Sequence, residues 1–301
     1  MRLSTSTNLL YTRRDRSGFI GVAACLSLAA RAGFTCFDLN GCDNTKHGHR
    51  LALDDWEAWT RAIRRYADGL GVSFGQSHLP IYNICAPDNV DDWAWKEELS
   101  HRTLVASGLL GVEWVVVHAG TAYTQGVYDR NKTLDTNAQY LYDLARRAVA
   151  CGCKGIAVEN VPPAAGGKSL PPTVCATTDG LIELVDLVNS PHVGICWDFG
   201  HAHLTRESQP ESLRRIGCRL KATHVQDNGG ISDEHTLPFR GTIPWESVMP
   251  VLGEIGYQGD FTYEMQNYLK DVPPALYLPA LTFARMTGEH LIALSKYNEN
   301  K

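Results

Sequence analysis

Short apolar segments alternate with longer segments of helical periodicity along most of the chain. Eight apolar segments are predicted to be strands, and they span 2–8, 34–40, 71–78, 113–120, 155–161, 193–200, 221–227 and 259–265. The longer amphipathic segments between them are predicted to be helices, at 54–71, 91–111, 133–152, 177–189 and 244–256. Regular alternation of strand and helix is typical of a parallel sheet built from βα units.

The number of these units favours a closed barrel over an open, doubly wound sheet. Eight strands with intervening helices in 301 residues match the size of a (β/α)₈ TIM barrel. No Gly-x-Gly-x-x-Gly or P-loop pattern follows the first strand, as a nucleotide-binding open sheet would require. Because no linker or shift in composition interrupts the pattern, residues 1–301 are predicted to form a single domain. The Pro- and Gly-rich segment 161–173 is predicted to be a loop over the barrel mouth.

Composition and charge narrow the classes of function. The net charge of -5 gives no basic excess of the kind that binding to a phosphate backbone needs, so no nucleic-acid partner is expected. The N-terminal segment lacks a long apolar run and no apolar stretch could cross a membrane, so neither a secretory signal nor a membrane partner is expected. Several of the nine cysteines, among them Cys36, Cys85 and Cys196, lie in apolar segments. Buried thiols of this kind indicate a reducing, cytoplasmic location.

Polar side chains follow the predicted strands at the end where TIM barrels carry their chemistry. The catalytic groups of such barrels lie at the carboxyl ends of the strands. Strands three to eight each end in a residue that can bind a metal, namely His78, His118, Glu159, Asp198, His224 and Glu264. Each of these alone has an ordinary structural explanation. Three carboxylates converging on one rim would repel each other unless a cation lay between them, so a divalent metal site is predicted.

Further candidates lie just beyond the sixth and seventh strands. His201 comes three residues after Asp198 and can reach the same site. Asp233 and His235 are separated by one residue, which places both side chains on one side of an extended segment and suits metal binding, although a solvated loop explains them equally well. Arg240 lies in a Pro-Phe-Arg-Gly turn and is either a surface residue or a cation that binds substrate.

The strand ends HLPIYN, VVHAG, AVENV, WDFGHAH, HVQDN…DEH and FTYEM resemble those of the xylose isomerase-like TIM-barrel superfamily, over residues 34–265. This superfamily includes sugar phosphate isomerases and epimerases as well as AP endonuclease family 2, the endonuclease IV type. The epimerase branch implies a metal held by Glu159, Asp198, His224 and Glu264, with the two glutamates moving a proton and His201 contacting a substrate oxygen. The endonuclease branch implies nine ligands for three zinc ions: His78, His118, Glu159, Asp198, His201, His224, Asp233, His235 and Glu264.

The resemblance and the charge pattern together favour a sugar-converting enzyme of carbohydrate metabolism. The predicted function is a divalent-metal-dependent sugar isomerase or epimerase, an isomerase that moves a proton next to the carbonyl of a ketose or keto-sugar through a metal-stabilised enediolate. Ketohexose epimerases of the family carry an arginine six residues after the seventh-strand histidine. This chain has Gly230 there, which argues against a simple ketohexose 3-epimerase.

Three alternatives are also compatible with the sequence. They are an endonuclease IV-like zinc phosphodiesterase, a metal-dependent lyase or C-glycoside-cleaving enzyme on oxidised sugars, and a non-catalytic binding barrel. The mouth loops are not basic, which argues against DNA as a substrate.

The predicted cofactor is a divalent metal ion. An oxygen-rich ligand set favours Mn²⁺, Mg²⁺ or Co²⁺, and Zn²⁺ if the additional histidines bind. The expected partner is a small, non-phosphorylated sugar. The resemblance leaves the oligomeric state open, with a homo-oligomer as one option because relatives are often dimers or tetramers.

Overall fold

The chain forms an eight-stranded parallel barrel. A computed structural model describes residues 1–10, 21–162 and 173–296, together with the backbone of two short strands, Ala164–Ala165 and Lys168–Ser169. The barrel strands are β1 (Arg2–Ser6), β2 (Cys36–Leu39), β3 (Ser73–His78), β4 (Trp114–Val117), β5 (Gly155–Glu159), β6 (Val193–Asp198), β7 (Leu220–His224) and β8 (Asp260–Tyr263). Neighbouring strands pair in the order β7-β6-β5-β4-β3-β2-β1-β8, and every pair is parallel. The predicted eight strands and their α/β class are therefore confirmed.

The last two strands close the barrel just beyond β7. Val225 forms a parallel bridge with Tyr263. The Val225 N–H donates to the Thr262 carbonyl at 2.7 Å, and the Glu264 N–H donates to the Val225 carbonyl at 3.0 Å. This closure fixes the position of Glu264 relative to His224, one residue before Val225.

Helices surround the strands. They are α1 (Val22–Arg31), α2 (Gly41–Asn44), α3 (Trp56–Leu70), α4 (Trp93–Leu110), α5 (Arg130–Ala150), α6 (Thr178–Val188), α7 (Phe199–Thr205), α8 (Gln209–Ile216), α9 (Trp245–Glu254) and α10 (Tyr277–Leu294). The five predicted helices correspond to α3, α4, α5, α6 and α9. Helices α3 and α4 end as predicted at Gly71 and Gly111, whose φ angles of 68° and 77° lie in the left-handed region that glycine adopts without strain.

An apolar layer fills the barrel below the candidate site. Val116, Ala157, Cys196 and Ala222 come from β4 to β7 and are each 0% exposed. The neighbouring residue Trp197 points the other way and donates from its indole N–H to Gln209 on α8 at 3.3 Å. Because side chains alternate along a strand, this outward tryptophan directs Asp198 into the barrel.

One predicted segment lies mostly outside the part of the chain that the structure describes. This is the mouth loop at 161–173, of which Val161, Pro162 and Thr173 are described.

Among the helices that the structure describes, none combines the length and the apolar character that crossing a bilayer requires.

A glycine in β3 is expected to be intolerant of any side chain. A Cβ at Gly75 would lie 1.7 Å from Asp260 Oδ2 and 2.7 Å from Arg2 Nη2, inside the ion pair between those residues. The Gly75→Ala variant should lower the free energy of unfolding by about 1–3 kcal/mol, the usual cost of overpacking. Urea denaturation of the purified variant measures this.

The matched control is Gly69→Ala in α3, where a Cβ would meet no atom within 4 Å. Alanine favours a helix over glycine by up to about 1 kcal/mol, so the free energy of unfolding should stay equal or rise. Equal urea midpoints for the two variants would contradict the close packing at Gly75.

Candidate metal-binding active site

The structure brings all nine predicted ligand residues together at the carboxyl ends of the strands. They form three adjoining groups in which the possible ligand atoms lie within 4.8 Å of one another. The groups are His78, His118 and Glu159; His201, Asp233 and His235; and Glu159, Asp198, His224 and Glu264. Glu159 belongs to two of these groups and therefore lies between them.

Glu159 is the centre of the cluster. Its Oε2 lies 3.2 Å from His78 Nε2 and 3.0 Å from His118 Nε2. Its Oε1 lies 3.0 Å from His224 Nδ1 and 3.3 Å from His201 Nδ1. With a side chain only 1% exposed, this carboxylate is surrounded by imidazoles rather than by water.

The buried carboxylates of the cluster favour positive charge on the groups beside them. Burial opposes ionisation of Glu159, but the neighbouring His224 and His118 hold the pKa of this carboxyl well below its usual value. Burial also opposes protonation of the imidazoles, yet Glu159 outweighs it and raises the pKa of His78 to about 9 and that of His224 to about 10. At His118 burial prevails and the pKa is lowered. A divalent cation would meet the same negative potential, and its binding requires the histidines to be neutral.

Asp198 supplies the clearest structural sign that a cation fits. It caps α7, with Oδ1 accepting the His201 N–H at 2.6 Å, which explains why the sequence places the two residues three apart. Within the described structure its Oδ2 is buried and has no hydrogen-bond partner, and His201 Nδ1 is 3.9 Å away. Burial raises the pKa of Asp198 to about 6. An unpartnered buried carboxylate oxygen is costly, and a bound cation would satisfy it.

The third group is held over the barrel by the loop that follows β7. Asp233 Oδ2 lies 2.9 Å from His235 Nε2 and 3.4 Å from His201 Nε2. Gln226 donates to Asp233 Oδ1 at 2.6 Å and accepts the His235 N–H at 3.2 Å. Although burial opposes it, the contacts with His201 and His235 lower the pKa of Asp233. The loop is thus folded onto the site, and the Asp-x-His pair faces the other ligands.

The mouth also contains residues that the sequence analysis missed. A cavity of about 360 Å³ above the cluster is lined on one side by Asn8, Asn40, Asp43, Lys46 and Gln266. Asn8 and Asn40 follow β1 and β2, so the strand-end rule applied to the first two strands would have found them. Lys46 is paired with Asp43, with 2.5 Å between Nζ and Oδ1.

Arg240, the predicted substrate-binding arginine, is exposed. It is not among the described residues that line this cavity.

Fold and site together define a parallel α/β barrel with a candidate metal centre at its carboxyl end. The chain belongs to the xylose isomerase-like TIM barrel family, whose model matches residues 26–285. The predicted resemblance is therefore confirmed.

Individual relatives are similar over parts of the chain. An uncharacterized protein of Methanocaldococcus jannaschii, MJ1311, is 33% identical over 162 residues, 52% of this chain and 52% of that protein. D-psicose 3-epimerase of Enterocloster bolteae is 29% identical over 83 residues, 28% of this chain and 26% of the enzyme. These matches span about half or less of each relative's length.

A solved structure covers the whole fold. The crystal structure of a D-tagatose 3-epimerase-like protein superposes with a TM-score of 0.74 and 21% identity, covering 99% of this chain and 100% of the other. At 21% identity, this similarity is evidence for the fold alone.

Removal of a central ligand is expected to release metal. Outer-shell substitutions alone weaken metal binding by roughly 10–100-fold, so Asp198→Ala and His224→Ala should each weaken it at least about tenfold. The measurement is elemental analysis after loading with Mn²⁺ or Zn²⁺ and dialysis, with circular dichroism to confirm folding.

The control for this experiment is His203→Ala. His203 Nε2 lies 2.8 Å from Thr242 Oγ1 and belongs to none of the three groups found among the described residues. This variant should keep its metal. Full metal content in both ligand variants would contradict the assignment of the site.

Proposed function

We propose that this protein is a divalent-metal-dependent sugar epimerase or isomerase that moves a proton at the carbon next to the carbonyl of a ketose or keto-sugar. The observation that carries the proposal is the pair Glu159 and Glu264, two carboxylates of one candidate cation group that both line the mouth cavity. The similarity to D-psicose 3-epimerase of Enterocloster bolteae supports the same class of reaction.

The residues that would hold the catalytic cation are Glu159, Asp198, His224 and Glu264. Three carboxylates and one imidazole form a hard ligand set that suits Mn²⁺, Mg²⁺ or Co²⁺, whereas the two groups with paired histidines suit Zn²⁺. A bound cation supplies Lewis acidity that makes the C–H next to a carbonyl more acidic. The identity of the ion stays a prediction.

The two glutamates are placed differently, and this suggests how they share the proton transfer. Glu264 is 13% exposed, and its Oε2 lies 3.6 Å from His224 Nδ1 and 3.5 Å from His235 Nδ1, beyond hydrogen-bond distance. Glu159 is 1% exposed and contacts four imidazoles. Glu264 is therefore the more available base. Glu159 holds the cluster together, and we expect it to approach the substrate from the other side.

The destination of the proton decides the product. If Glu264 removes the proton and Glu159 returns one to the opposite face of the same carbon, the product is an epimer. Return to the former carbonyl carbon instead moves the carbonyl by one position, which gives an aldose when the proton was removed from C1 of the ketose. A positioned acid or base contributes roughly 10²–10⁴-fold to the rate.

Replacement of each glutamate by glutamine should separate these roles. Glutamine keeps the shape and one ligand oxygen but cannot act as a base. Both Glu159→Gln and Glu264→Gln should lose turnover by at least about 10²-fold. Glu159→Gln should also lose metal, because its imidazole contacts lose their negative partner, whereas Glu264→Gln should keep more of it. Steady-state kinetics on a panel of ketoses and keto-glycosides measures turnover, and elemental analysis measures the metal. Unchanged turnover in either variant would contradict the mechanism.

Isotope exchange tests the proton transfer independently of mutation. In D₂O the product recovered from the wild-type enzyme should carry deuterium at the carbon next to the carbonyl. A product formed at full rate without solvent deuterium would indicate hydride transfer between carbons and would exclude the two glutamates as proton carriers.

A second candidate is a phosphodiesterase of the endonuclease IV type, because three adjoining ligand groups match the nine residues which that resemblance implies. The charge of the residues that line the mouth argues against this function. Among the described residues that line the mouth cavity, Lys46 is the single lysine or arginine, and it is paired with Asp43. A DNA-binding mouth needs several phosphate-binding cations.

We therefore expect no incision of duplex DNA that contains an abasic site. The assay uses metal-loaded protein at catalytic concentration over a range of salt, since binding to phosphates weakens steeply with salt. Incision that the Asp198→Ala variant abolishes would reverse the ranking of the two functions.

A further inference from the structure

The mouth of the barrel contains two adjoining cavities of different chemistry. The polar lobe is the cavity of about 360 Å³ already described, on the side of β1, β2 and β8. The apolar lobe is a second cavity of about 410 Å³ on the side of β3, β4 and β5, with Ile81, Ala119, Val161 and Pro162 in its wall. Each volume lies in the lower part of the range of roughly 300–1,000 Å³ that small-molecule sites occupy.

The polar lobe suits a neutral, hydroxylated group. Asn8, Asn40 and Gln266 present amides, which donate and accept hydrogen bonds without adding net charge. The pairing of Lys46 with Asp43 largely cancels their charges. This side of the mouth therefore favours sugar hydroxyls over a phosphate.

The apolar lobe contains polar residues whose hydrogen bonds are already made within the protein. The Tyr82 hydroxyl donates to Glu97 Oε1 at 2.7 Å, on α4 behind the wall. The Asn83 amide donates to the Thr121 carbonyl at 2.9 Å, and its Oδ1 accepts the Thr121 N–H at 2.8 Å and the Cys85 N–H at 3.1 Å. These groups brace the loops after β3 and β4.

A polyol in this lobe would lose its hydrogen bonds to water and gain few in return. Apart from the ligand residues at its base, the described residues of the wall offer mainly apolar atoms, and Ile81 is 53% exposed. Burial of an exposed isoleucine against an apolar ligand group is favourable. The lobe therefore suits an apolar group and not a second sugar.

The two lobes meet over the candidate metal centre. Both are lined by Ile81, His118, His201 and Asp233. A single ligand can thus reach into both lobes while its central part lies beside the ligand residues.

From this arrangement we infer that the substrate is a neutral sugar carrying an apolar substituent, rather than a free ketose or a sugar phosphate. The sugar lies in the polar lobe and the substituent in the apolar lobe. The inference rests on the proposed function, because it treats the cluster as the place where the sugar reacts. Ile81, at the junction, is then a specificity-determining residue.

Equilibrium binding tests the inference without turnover. Isothermal titration calorimetry of the metal-loaded protein compares phenyl β-D-glucopyranoside with methyl β-D-glucopyranoside. The phenyl glucoside should bind at least about tenfold more tightly, as burial of an aromatic ring predicts. Equal affinities, or no measurable binding of either glucoside, would overturn the inference.

Ile81→Ser tests the location of the substituent. Because Ile81 is half exposed, its replacement should leave the fold intact while lowering the phenyl-to-methyl preference at least about threefold. The matched control is Leu187→Ser, since Leu187 is 48% exposed and lies in the last turn of α6, which leads to the opposite end of the barrel. An equal loss of preference in both variants, or no loss in Ile81→Ser, would also overturn the assignment.

The two proposals fail in different ways. A protein that prefers the phenyl glucoside but exchanges no proton with D₂O on any keto-sugar would overturn the proposed epimerase function and leave the binding inference standing. A protein that exchanges protons on free ketoses and binds both glucosides equally would overturn the inference alone.

Discussion

The organisation of the site depends on one buried carboxylate, Glu159. A carboxylate that is 1% exposed keeps its charge only if polar or positive groups replace the water it has lost. Here four imidazoles do so, from the ends of β3, β4 and β7 and the start of α7. The parallel barrel makes this possible, because all eight strands end at the same rim and each delivers an inward side chain there.

Backbone contacts then fix how the ligand residues are oriented. His78 Nδ1 lies 2.7 Å from the Leu79 carbonyl and His201 Nδ1 lies 2.9 Å from the Asn160 carbonyl, so each ring is held from behind. Asn160 also accepts the Asp198 N–H at 2.7 Å and donates to the Asp198 carbonyl at 2.9 Å, which locks the ends of β5 and β6 together. Such contacts outside the ligand set help to orient the ligand side chains.

The sequence predicts those parts of the structure that follow from local periodicity. The eight strands and the residues at their inward ends, such as Glu159 and His224, follow from the alternation of side chains and the position of chemistry in a TIM barrel. Helices α7 and α8 were not predicted because they have 7 and 8 residues, too few for a clear helical period. Helix α10 follows the last predicted strand and is not among the predicted helices.

The chemistry of the mouth could not be predicted in the same way. Whether Tyr82 offers its hydroxyl to a ligand depends on Glu97, which is 15 residues away and on another element. The pairing of Lys46 with Asp43 likewise decides whether the mouth attracts an anion, and the sequence alone shows neither distance. Such features depend on which hydrogen bonds are already made, and this is a property of the tertiary structure.

The surroundings of the cluster determine from which side a cation and a substrate reach it. Below the ligands lies the apolar layer of Val116, Ala157, Cys196 and Ala222, each 0% exposed, which excludes water. Charges above such a layer interact more strongly than they would in water. Solvent therefore screens the negative potential around Glu159 from the side of the mouth and not from below. In the described part of the mouth, a cation and the proposed sugar would therefore reach the cluster through the two lobes. Because the lobes meet directly above the ligand residues, the opening that would admit a cation would also select the shape and polarity of the proposed substrate.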